Sequence, residues 1–122
     1  MWLESLNIPF SSFLMEGIHH YEYDFIVYSA YITFLCLLFT RSFNSIPVFL
    51  YCYQPSETDD LKSIRDRLLE LTEILYIHHH CKHENILYYY GCTQLPSDYG
   101  LVGFVTERYA YSLSQFFDED EY

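Results

Sequence analysis

Residues 78–83 read His78-His79-His80-Cys81-Lys82-His83, the densest run of metal-ligand side chains in the chain. Imidazole and thiolate both bind Zn²⁺, and structural zinc sites draw their ligands from separated pairs. Neighbouring residues cannot all converge on one ion, and no second pair follows at zinc-finger spacing. His19 and His20 could join such a site only through tertiary contact. No metal site is therefore expected. A polar turn at a helix end explains the run more simply, because cationic side chains suit the negative end of the helix dipole. The cysteines Cys36, Cys52, Cys81 and Cys92 show no Cys-x-x-Cys spacing. They read as reduced thiols of a cytoplasmic protein. No spacing argues for a Ser/His/Asp or Cys/His nucleophile. Carboxylates are plentiful, but Asp118-Glu119-Asp120-Glu121 reads as a solvated acidic tail over 118–122, and others fall on a helix surface.

The elements that would position these residues follow from periodicity. Leu61, Ile64, Leu68, Leu71 and Leu75 recur at alternating intervals of three and four, so 60–77 is predicted helical. Asp59 and Asp60 at its start suit the positive end of the dipole. The apolar stripe must bury against something, and a sheet is the natural partner. Residues 21–32 are rich in Tyr, Phe, Ile and Val and read as one or two strands. Residues 46–53 form another, bounded by Pro47 and Pro55. Trp2, Leu3 and Leu6 suggest a short amphipathic turn before Pro9. Pro96-Ser97-Asp98-Tyr99-Gly100 is a turn between two strands. Ser112 can cap a last helix at 113–118. The fold class is α+β, an antiparallel sheet with one packed helix.

Composition limits the partners. The chain has 122 residues, about half of them apolar, enough for one small domain with its own core. Fourteen Tyr and ten Phe stand against one Trp. A net charge of −11 with no basic cluster disfavours nucleic acid. The first residues lack a basic start, so no signal peptide is expected. Residues 25–40 carry no charge, but they fall short of the roughly 20 residues a spanning helix needs. An alternative reading nonetheless makes this a small membrane-associated protein anchored by 25–40.

The run His83-Glu84-Asn85-Ile86-Leu87-Tyr88-Tyr89-Tyr90-Gly91-Cys92 precedes Leu101-Val102-Gly103-Phe104-Val105-Thr106-Glu107 and then Ser112-Leu113. This order and spacing resemble the middle of a protein-kinase domain. There a His-x-Asn-Ile/Leu turn follows the single helix of the N-terminal lobe. Two strands and a Thr-Glu hinge come next. Ile26-Val27-Tyr28-Ser29-Ala30 is similar to the second kinase strand. Tyr88-Tyr89-Tyr90-Gly91 and Ala110-Tyr111-Ser112-Leu113 lean toward the unfolded-protein sensor kinase/endoribonuclease and the 2-5A-dependent ribonuclease. The pseudokinase domain of the starvation kinase is the other relative considered. The resemblance implies an N-lobe-like domain over 16–117, with 1–15 as an extension and 33–45 as a candidate insertion. The family's catalytic loop and Asp-Phe-Gly motif would lie beyond Tyr122.

Carried over residue by residue, the resemblance implies an inactive, pseudokinase-like nucleotide site. Val48-Phe49-Leu50-Tyr51 matches the Val-Ala-x-Lys strand, so Tyr51 stands where the phosphate-gripping Lys belongs. Only Gly17 lies where a glycine-rich loop should be. Glu73 occupies the spacing of the helix Glu that pairs with that Lys. Its helical phase points away from the leucine stripe, and Glu70 is the other candidate. Thr106 matches the gatekeeper, and Glu107 the hinge residue whose carbonyl meets adenine. Weak ATP binding or none is expected, with no phosphoryl transfer. Phe104, Tyr109, Phe116 and Phe117 would be left partly uncovered, so self-association or docking of a kinase-like C-lobe is expected.

Overall fold

In the computed structural model, the residues described are 7–36 and 42–110. The expected turn around Trp2, Leu3 and Leu6, the helix at 113–118 with its cap Ser112, and the acidic tail lie outside them. Five strands form one antiparallel sheet: β1 (Phe13–Glu22), β2 (Phe25–Cys36), β3 (Ser42–Tyr53), β4 (Tyr89–Gln94) and β5 (Val102–Glu107). Their order is β1-β2-β3-β5-β4. One helix, α1 (Leu61–His80), connects β3 to β4. The α+β class read from the sequence is the class observed.

Over 48–53, β3 lies between β2 and β5, and both its faces are covered there. Its apolar residues therefore run almost without interruption. Val48, Leu50 and Cys52 point to one face; Phe49 and Tyr53 point to the other, and all are buried. The β2–β3 ladder is continuous from Phe25↔Tyr53 to Cys36↔Ser42. Of the candidate insertion 33–45, residues 33–36 and 42–45 thus pair with each other as the outer arms of this ladder, and 37–41 lie outside the described residues. Residues 25–36 are strand, paired with β3 throughout and with β1 over 25–32. Among the described residues no helix is long and apolar enough to cross a membrane.

The first face is an aliphatic core of Ala30, Ile32, Val48, Leu50, Cys52 and Val105. Ile8, Phe10 and Tyr99 close it. Pro9 precedes a 3₁₀ turn at Phe10–Ser12, and the Ile8 N–H donates to the Cys92 carbonyl at 2.7 Å. Residues 7–12, expected as extension, therefore pack on the sheet, and β1 begins at Phe13, ahead of the strand expected from Tyr21.

The second face carries α1. Asp60 caps it, its Oδ1 accepting from the Ser63 N–H at 2.8 Å, which satisfies one of the four orphan donors of a helix start. Leu71 and Leu75 pack against Tyr53 and Phe104. The helix runs three residues beyond the predicted end, through His80. The stripe buries later than expected, since Leu61 is 86% exposed in the first turn. Phe104, expected to be left uncovered, is buried beneath the helix.

Candidate functional site

Strand alternation brings Phe49 and Tyr51 to the helix-side face of β3. Phe49 is 2% exposed. Its ring meets the His19 ring at 4.6 Å and the Tyr109 ring edge-on at 4.9 Å. The Tyr51 and Tyr109 hydroxyls are hydrogen-bonded to each other, and Phe25 meets the Tyr51 ring edge-to-face at 5.9 Å. Such geometry suits the ring quadrupoles. Burial drives the Tyr51 phenol far above its ordinary range, and the bond to Tyr109 adds to the shift. Burial raises Tyr89 as well. Tyr51 is thus a neutral, half-buried phenol at the position where the resemblance asks for an ammonium.

A cavity of 190 Å³ opens beside Tyr51, between sheet and helix, walled by Tyr89, Phe104, Leu71, Leu75 and Arg67. A two-residue turn, Tyr23-Asp24, joins β1 to β2 at its rim, with Tyr23 in the left-handed region at φ 54°. Arg67 grips Asp24 with two hydrogen bonds, Nε to Oδ2 at 2.9 Å and Nη2 to Oδ1 at 3.1 Å. Glu70 adds a contact at 3.2 Å, and the guanidinium lies 5.7 Å over the Phe25 ring. The forked geometry makes this a directional latch between hairpin and helix.

The Asp24 carboxylate of this tight turn faces the helix. Gly17 lies inside β1, not at the turn.

Thr106 is fully buried and pairs with Phe49 and Tyr89 across the sheet. Its hydroxyl donates to the Glu107 carbonyl at 3.0 Å, the carbonyl the resemblance assigns to adenine. The Glu107 carboxylate accepts from the Tyr88 N–H at 2.9 Å. Glu73 does not join these residues. It is exposed, beside Thr72, Tyr76 and Ile77 on the outer side of α1. The outward phase expected of Glu73 is what the structure displays, and Glu70 binds Arg67.

Three groups are not evident from the sequence. Phe49 is there only part of the matching stretch; its bulk at the family's Ala position is the available signal. The Asp24–Arg67 latch joins residues 43 apart, with no local pattern to announce it. Arg108 lies across the sheet: it donates to the Val48 carbonyl at 3.2 Å and the Ala30 carbonyl at 2.8 Å, and it pairs with Glu16. The histidine run, meanwhile, ends α1, with His78 stacked on Tyr89 at 4.2 Å. Among the described residues no three His, Cys, Asp or Glu side chains gather as a metal site. The free thiol of Cys52 is buried, which pushes its pKa to about 12.

No known family model matches the chain, and no curated protein matches it.

Proposed function

We propose that this chain is a kinase-N-lobe-like docking module whose nucleotide site is filled by its own side chains. The observation that carries the reading is the Phe49–Tyr51–Tyr109 cluster, packed on the sheet face where the resemblance locates adenine and phosphate. Phosphoryl transfer depends on positioned charge around the phosphates. Here a neutral phenol replaces the ammonium. The strand order, the helix between the third and fourth strands, and Thr106 near the end of the fifth also fit the resemblance.

The docking half of the proposal draws on exposed apolar side chains. Leu69, Tyr76 and Ile77 on α1 are about half exposed or more, as are Leu14 and Ile18 on β1. Such groups suit a second copy of the chain or a kinase-like C-lobe.

Calorimetric titration with ATP and Mg²⁺ tests the nucleotide half. A lost charge-assisted phosphate contact removes roughly 1.5–3 kcal/mol, tenfold or more in affinity. No saturable binding in the low micromolar range is expected, and a dissociation constant there would defeat the proposal. Sedimentation at micromolar protein and physiological salt tests the docking half: self-association is expected, and a clean monomer that gains no stability from a C-lobe would overturn it.

A further inference from the structure

Adjacent residues of a regular strand point to opposite faces. His19 and His20 do not. The β1–β2 register steps from Ile18↔Tyr28 to His20↔Val27, so His19 is an extra residue on β1, a bulge. The bulge turns both rings to the Phe49 side, where His19 and His20 each meet that ring. The two Nδ1 atoms then stand 2.7 Å apart.

We propose that His19 and His20 form a two-imidazole binding site for a divalent d-block cation, Cu²⁺ foremost. Two nitrogens bound at right angles to one ion, each about 2.0–2.1 Å from it, stand about 2.9 Å apart. The observed separation needs only a small opening to reach that value. His20 also carries the outer support expected of a ligand: its Nε2 lies 3.2 Å from the Glu22 carboxylate. A carboxylate can only accept, so the His20 proton sits on Nε2 and its Nδ1 lone pair faces His19. Carboxylate partners of this kind fix the tautomer and raise ligand basicity. In the metal-free pair His19 supplies the Nδ1–H. On binding, that proton moves to Nε2 of the same exposed ring, and both Nδ1 atoms face the ion. Arg108 is the nearby cation, and Glu16 pairs with it. Solvent reaches His19, leaving the ion's other positions to water. Imidazole nitrogen ligands favour copper over zinc in the general affinity order.

The test is titration of the full chain with CuSO₄ alone, followed by paramagnetic resonance for nitrogen hyperfine coupling. The background carries His79→Gln, His80→Gln, Cys81→Ser and His83→Gln, so that the helix-end run cannot compete. One equivalent should bind saturably, with coupling from two imidazoles and with Zn²⁺ binding more weakly. Glu22→Gln should weaken binding roughly 10–100-fold, and His19→Gln or His20→Gln should remove the two-nitrogen signature. Thermal unfolding of each variant checks that it is folded. Unchanged copper affinity and spectrum in the folded His19→Gln/His20→Gln double variant would overturn the proposal. So would the lack of any saturable copper binding in the background protein.

Discussion

The two faces of the sheet are built differently. One is closed by aliphatic side chains: Ala30, Val48, Leu50, Cys52 and Val105 are wholly buried beneath a short N-terminal segment. The other carries the helix and most of the aromatic ring pairs, and it is not sealed. A 190 Å³ cavity lies there, with an ion pair at its rim. Close packing of branched aliphatics leaves little room for adjustment. Large planar rings meeting edge-on leave gaps, and polar tips such as Tyr51 and Arg67 keep one end near water. The aliphatic face is therefore the natural seat of stability. The aromatic face keeps a cavity and a partly exposed ion pair.

Core truncations should expose that difference most strongly. Leu50→Ala on the sealed face is expected to cost on the order of 2–5 kcal/mol, toward the upper end, because no solvent-connected space can relieve the new void. Leu71→Ala, 7% exposed and already facing the cavity, should fall near the lower end of that range. Urea unfolding of both variants compares them directly. A Leu71 cost equal to or above that of Leu50 would mean the helix face is the tighter of the two.

How much of this contrast is legible in the sequence differs by element. The helix announces itself through Ile64, Leu68, Leu71 and Leu75, which recur at helical intervals. β3 announces itself by β-branched and aromatic density. β1 is not legible before Tyr21, for a physical reason. It is an edge strand with register shifts between Met15 and Gly17 and between Ile18 and His20. Each shift breaks the two-residue alternation that marks a strand. Tyr51 can be placed at its site because it belongs to a contiguous strand pattern. The partners that give the site its character cannot: Tyr109, Asp24 and Arg67 reach it by chain crossing, and no local period encodes such meetings.

The latch is the next sharpening of the comparison. Asp24 and Arg67 are each a little over a quarter exposed, so solvent screens their attraction. A double-mutant cycle with Asp24→Asn and Arg67→Met should give a coupling of about 0.5–1 kcal/mol. Raising salt should shrink it, as for any partly exposed pair. Single variants should lose little more than that, because neither partner is left in a dry interior. Zero coupling at low salt would mean that the hairpin and helix are held by ring packing alone, and that the rim of the cavity is not an electrostatic closure.

The smallest effect is expected at Glu73, and it bears most directly on how the helix sits against the aromatic face. Glu73 is exposed on the outer side of α1, while Leu71, Ile74 and Leu75 line the cavity beside Tyr51. Glu73→Ala should therefore change stability by no more than about 0.5 kcal/mol, the usual range for a surface position. Tyr51→Lys supplies the stricter measurement, because it introduces the ammonium that the proposed resemblance would pair with a helix carboxylate. With Glu73 turned outward, the introduced ammonium would find no partner there, and a cycle between Tyr51→Lys and Glu73→Ala should show no coupling. Measurable coupling, with Glu73→Ala damaging only the lysine variant, would show that α1 can rotate inward and that the present arrangement is one of two states of the helix. Independence would fix the helix as observed, with the aromatic cluster rather than an ion pair joining strand to helix.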